Sequence, residues 1–140
     1  MATLTTRRQA LLEQDSIRNL GESERMAAAA SISEVAAYLQ ENLGQRVTGY
    51  LSGVRDPKMV GQWASGKVRP RELSEFRLRA AYPVTTLLVN AFSPATAKAW
   101  FFGTNSRLDD QAPAYLLRHG EPPFHSLLPA AKAFVLGDTY

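Results

Sequence analysis

Ile32, Val35, Ala36, Leu39 and Leu43 recur at i, i+3, i+4 and i+7, the spacing of one helix face, with Ser31 placed as N-cap, Glu34 in capping-box position and Gly44 at the end. A shorter helix over residues 45–52 follows, with Val47, Tyr50 and Leu51 inward. Gly53-Val54-Arg55 makes a tight turn. Asp56 can cap and Pro57 open a helix of about two and a half turns, which Gly66 ends in the left-handed conformation. Met59, Val60, Trp63 and Ala64 face its core side. Leu73, Phe76, Ala80, Val84, Leu87 and Leu88 then form one long stripe, the central core helix. Pro83 interrupts it and removes a backbone bond at a cost of about 3 kcal/mol, so a kink or break near Tyr82 is expected. Ser93-Pro94 starts a helix carrying Ala97, Trp100 and Phe101 that stops at Gly103. A polar loop follows, anchored by Leu108. Ala112-Pro113 opens a short helix ended by His119-Gly120, and Pro122-Pro123 precedes a last helix with Leu127, Leu128, Ala131, Phe134 and Val135. Upstream, Thr5 or Thr6 can cap a weak stripe of Ala10, Leu11, Ile17 and Leu20 closed by Gly21, and residues 22–30 read as a solvated helix or an interaction arm. No alternating strand pattern appears. The class is all-α, divided into an N-terminal helical arm (1–30), a helix-turn-helix region (31–82) and a small C-terminal helical domain (83–140).

At 140 residues and 45% apolar composition, the chain can bury one core or two small subdomains sharing a core. Absence of Cys excludes disulfides and thiol chemistry, and with two His it argues against a structural zinc site. The nine glycines are scattered and form no phosphate-binding loop, so no cofactor is expected. No apolar run approaches the roughly 20 residues of a membrane span, and Arg7-Arg8 is not followed by a signal core. These features predict a soluble, unexported, cytoplasmic protein with no membrane partner.

Charge changes the picture locally. Residues 45–82 hold eight Lys and Arg against three acids, whereas residues 1–44 carry a net charge of −2 and residues 83–140 are neutral. The whole excess of +3 therefore has its source in the short helix pair. On the second helix, Lys58, Gln62 and Ser65 point away from the core face, flanked by Arg55, Lys67, Arg69 and Arg71. A core-anchored helix with a basic outer face, after a helix and a glycine turn, is the arrangement that enters the DNA major groove. Lys58 and Gln62 are expected near base edges, and the arginines with Lys67 on phosphates. The alternative is an ordinary helix pair with a solvated charged face.

The stretch Ser93-Pro94 … Trp100-Phe101-Phe102-Gly103-Thr104-Asn105-Ser106-Arg107-Leu108-Asp109-Asp110-Gln111-Ala112-Pro113 … Leu116-Leu117 resembles the toxin-binding domain of the Xre/MbcA/ParS antitoxin family. Trp100, Asn105, Leu108, Pro113 and Leu117 match at the family's spacing, and Val54-Arg55-Asp56-Pro57-Lys58 with Gly61, Trp63 and Gly66 looks like its helix-turn-helix. The likeness covers roughly residues 32–135. It departs at Phe101, where Leu is common, at Asp110, where Gly is common, and at Pro83. The resemblance implies an antitoxin that neutralises a RES-type, NAD-consuming toxin and represses its own operon by binding double-stranded operator DNA. The alternative is a stand-alone helix-turn-helix transcriptional regulator with no toxin partner.

Candidate partner contacts are Asn105, Arg107, Tyr115, Arg118, Lys132 and Tyr140, a mixture of apolar and polar groups suited to an interface. Trp100 and Leu108 read equally as core, and Asn105 can cap backbone instead of touching a partner. Residues 136–140 have no helical period and either fray or reach into a partner's cleft. A single helix-turn-helix covers little DNA, so a homodimer reading two half-sites is expected, joined through the N-terminal helix or the helices around Phe76 to Leu88. Catalysis finds little support: His119 suits a helix C-terminus, and His125-Ser126 follows a Pro-Pro turn without a nucleophile elbow.

Overall fold

The computed structural model describes residues 30–137. The N-terminal helices expected over residues 5–29, and the end of the tail with Tyr140, lie outside them. Among the described residues the fold is all-helical, with seven α-helices and no strand. We number them α1 (Ile32–Leu43), α2 (Gln45–Ser52), α3 (Lys58–Ala64), α4 (Glu72–Ala91), α5 (Pro94–Phe102), α6 (Pro113–His119) and α7 (Leu127–Val135), with a 3-10 turn at Ser106–Leu108.

The capping residues behave as their chemistry dictates. Ser31 Oγ accepts from Glu34 N at 3.1 Å, and Ser93 Oγ accepts from Thr96 N at 3.1 Å, each satisfying an orphan donor of the first turn. Asp56 Oδ1 accepts from Lys58 N at 3.0 Å. Gly53 and Gly66 take φ of 82° and 79°, the left-handed values their turns require. The helix between them is shorter than its pattern suggests, seven residues, because Asp56 and Pro57 remain in the turn.

The central helix α4 packs against α1, α2, α5 and α7, and buried side chains from every helix join one cluster. Pro83 does not break it. Helical structure is continuous from Glu72 to Ala91, since buried residues from Ala81 to Leu88 hold the helix on several sides and outweigh one missing backbone bond. The boundary expected at 82/83 thus falls inside a single helix, between halves that share one core.

The expected stripe of α4 has the wrong phase at its N-terminal end. Leu73 and Phe76 are 43% and 50% exposed, while Ser74, Arg77, Leu78 and Ala81 turn inward. Phe76 and Ala80 each lie two residues from Leu78, about 200° around the helix from it. Only from Ala81 onward do neighbours surround the helix, so Val84, Leu87 and Leu88 are buried as expected. In α2 the deepest positions are Thr48, Gly49, Leu51 and Ser52, with Val47 and Tyr50 only half-buried. Gly49 lets the turn before α3 pass close to α2: a Cβ there would lie 3.0 Å from Pro57 Cα.

A candidate nucleic-acid interface and a candidate partner surface

Val60 and Trp63 are buried, 0% and 3% exposed, and Met59 and Ala64 pack against the same cluster, which fixes the rotation of α3. Ser33 Oγ donates to Ala64 O at 3.0 Å and ties the end of α3 to α1. With that side anchored, Lys58, Gln62 and Ser65 are exposed on the other, and Arg55, Lys67, Arg69 and Arg71 are exposed around them. All seven sequence-derived residues are therefore exposed, on α3 or on the loops that flank it in the chain.

The backbone after α3 is built rather than slack. Gln62 O accepts from Lys67 N at 3.0 Å, Val68 N at 3.3 Å and Ser65 Oγ at 3.1 Å, while Pro70 is buried. Lys67, Arg69 and Arg71 are thus held at a set height beside α3. Arg55, Arg69 and Arg71 also rim a hollow of about 600 Å³ floored by Met59, Trp63 and Val68. The cations differ in one respect. Arg69 Nη2 pairs with Glu75 Oε1 at 2.9 Å, and Glu75 also accepts from Arg79 Nε at 3.0 Å, so part of the charge of Arg69 is already answered. Lys58, Lys67 and Arg71 have no acidic partner among the described residues.

The start of α4 buttresses this pair of helices through the end of α2. Ser74 Oγ donates to Ser52 O at 3.0 Å, and Arg77 Nη1 approaches the same carbonyl at 3.5 Å. Arg118 Nη1, from α6, donates to Tyr50 O at 3.0 Å with its guanidinium 4.7 Å from the Tyr50 ring centre. Two arginines therefore sit at the C-terminus of α2, where cations suit the helix dipole. Burial lowers the pKa of Arg77 from its ordinary value, and the nearby Arg118 charge adds to the effect. Serial hydrogen bonding of this kind was not legible in the residue pattern, because it joins positions 25 and 68 apart.

That geometry corrects two of the partner contacts. Arg118 is half-buried and engaged with α2, so it is a strut between helices, not an exposed interface group. Asn105 is 2% exposed; its Oδ1 accepts from Arg107 N at 3.0 Å and its carbonyl from Leu108 N and Asp110 N, both at 2.9 Å. It organises the loop from inside, as an Asx cap does. Leu108, Trp100 and Phe101 are core. The loop needs left-handed backbone at Asp109 and Asp110, with φ of 55° and 62°. Tyr115 is 51% exposed and stacks on His119 with centroids 4.4 Å apart, Arg107 is exposed, and Lys132 is half-buried. These three remain surface candidates.

Among the described residues no three His, Cys, Asp or Glu side chains come together as metal ligands would, and no helix is long and apolar enough to cross a membrane. No family model, no curated protein and no solved structure matches the chain.

Proposed function

We propose that the chain is an operator-binding antitoxin: α2, the turn over residues 53–57 and α3 contact duplex DNA as a homodimer, and the C-terminal helices hold a RES-type, NAD-consuming toxin. The observation that carries the DNA half is the exposed set Lys58, Gln62 and Ser65 on a helix pinned from behind by Val60 and Trp63, with Lys67 and Arg71 beside it and free of acidic partners among the described residues. A rigid helix that holds Lys58 and Gln62 out in solvent suits base readout, and flanking cations suit phosphates. The toxin half is supported by the family likeness and by exposed Tyr115 and Arg107. Engagement of Asn105 and Arg118 inside the fold favours, as second reading, a regulator without a toxin.

Gel-shift titration of the full chain against the DNA upstream of its own gene tests the first half. Gln62→Ala should change the ranking of operator variants, whereas Arg71→Ala should weaken all of them alike and lower the salt slope by roughly one unit. Arg69→Ala should do less than Arg71→Ala, because Glu75 already answers part of its charge. Wild-type affinity in an Arg71→Ala/Lys67→Ala double variant at physiological salt would refute the assignment. Co-expression with the product of an adjacent RES-type reading frame separates antitoxin from plain regulator: rescue of growth supports the former.

A further inference from the structure

Where the end of α1 and the start of α2 meet α5, a hollow of about 590 Å³ opens, with Leu43, Val47, Tyr50 and Phe102 as its apolar lining and Arg46 and Lys98 as its charged lining. Lys98 and Phe102 also line a neighbouring hollow of about 560 Å³ that runs along Asn42 and the first turn of α5. The two side chains form a ridge shared by both. Phe102 is 48% exposed although its ring lies 5.9 Å from that of Tyr50. Every charged side chain lining these hollows is a cation, and neither Arg46 nor Lys98 has an acidic partner among the described residues.

We infer that this groove docks an acidic segment of a partner protein, which inserts an apolar side chain against Val47, Tyr50 and Phe102 and places carboxylates toward Arg46 and Lys98. An aromatic anchor position flanked by charges of one sign is the form in which interface cores and rims are built. Nucleic acid fits less well. Base stacking needs a free ring face, whereas the Tyr50 ring is covered by the Arg118 guanidinium at 4.7 Å and crowded by Phe102. A second copy of the chain fits less well too, since an isologous contact here would bring cation against cation. None of the groove's lining residues belongs to the set Lys58, Gln62 and Ser65, although Gln45 at its edge lies beside Gly61 of α3.

The test uses the full chain, isotopically labelled, titrated with a short synthetic peptide of Glu and Asp around a central Leu-Phe pair and with its Lys-substituted counterpart. The acidic peptide should bind at least about tenfold more tightly than the basic one, with amide shifts centred on Arg46, Tyr50, Lys98 and Phe102. Arg46→Glu/Lys98→Glu should abolish the acidic preference, and Phe102→Ser should weaken binding about tenfold. All three positions are on the surface or half-exposed, and unchanged thermal midpoints would show the variants folded. Equal binding of both peptides, no binding, or shifts elsewhere overturns the inference. So does displacement of the peptide by a single-stranded oligonucleotide acting on the same amides, or loss of self-association in Phe102→Ser, since these would assign the groove to nucleic acid or to a second copy.

Discussion

Asp109 and Asp110 show how one loop can be specified and strained at once. Asn105 draws the amides of Arg107, Leu108 and Asp110 toward itself, and the chain can close that turn only by passing two consecutive residues through left-handed backbone, at φ of 55° and 62°. Asp tolerates this region better than most residues but still incurs a steric cost of order 1 kcal/mol against its Cβ. Glycine incurs none. Asp110→Gly should therefore raise stability by roughly 0.5–1 kcal/mol, part of the steric relief being returned as unfolded-state entropy. Urea unfolding checks it: a lower midpoint would mean that the carboxylate contributes more than the backbone conformation costs.

The helix α4 joins two environments along one element. Its first turns carry Leu73 and Phe76 outward, whereas from Ala81 it is enclosed, and there Tyr82 meets Tyr38 of α1 edge to face with centroids 5.2 Å apart. Burial raises the pKa of both phenols. For Tyr38 the Tyr82 charge adds to this while a hydrogen bond with Thr86 opposes it; for Tyr82 Glu34 adds to it. A raised folded-state pKa means the native form holds its proton longer than the unfolded form. The corresponding stability is complete below the unfolded value near pH 10 and is lost as pH rises through the folded values. Thermal midpoints should thus fall more steeply above about pH 10 in the native chain than in a Tyr38→Phe/Tyr82→Phe variant. Coincident profiles would show that both phenols ionise in the fold without penalty.

On the scale of the molecule, the apolar surface left uncovered at the start of α4 bears on assembly. Phe76 and Pro70 line a hollow with Arg69, Glu72, Glu75 and Arg79, and Leu73 is exposed one helical turn from Phe76, so the patch carries both signs of charge around an apolar centre. Such a surface is self-complementary across a two-fold axis, unlike the cationic groove beside Phe102. It also adjoins the loop that carries Lys67 and Arg71, so it is the joint we propose for the homodimer of the proposed function. Phe76→Glu should give a monomer in sedimentation velocity and lower operator affinity by about tenfold or more, with helicity unchanged. A dimer that survives this substitution places the joint elsewhere.

Much of the helical plan was readable from residue order, because its causes are local. Ser31 and Ser93 can cap only the helical turn directly after them, Gly53 and Gly66 are the residues that reach positive φ without strain, and the face bearing Val60 and Trp63 fixes which side of α3 meets solvent. The exposed set around Lys58 and Gln62 came from that same rotation. The features that residue order left open depended on contacts between distant segments. Leu73 and Phe76 are as apolar as Leu78, and only the positions of α1 and α2 decide which face of α4 is covered. Pro83 reads as a break until the surrounding helices hold α4 together. Arg118 carries the polar chemistry of an interface, yet tertiary packing placed the Tyr50 carbonyl, 68 residues away in the chain, within its reach; Asn105 takes the local amides of Arg107, Leu108 and Asp110, and what the packing decided is its burial. The groove between Tyr50 and Phe102 likewise exists only because α2 and α5, far apart in the chain, come to lie side by side.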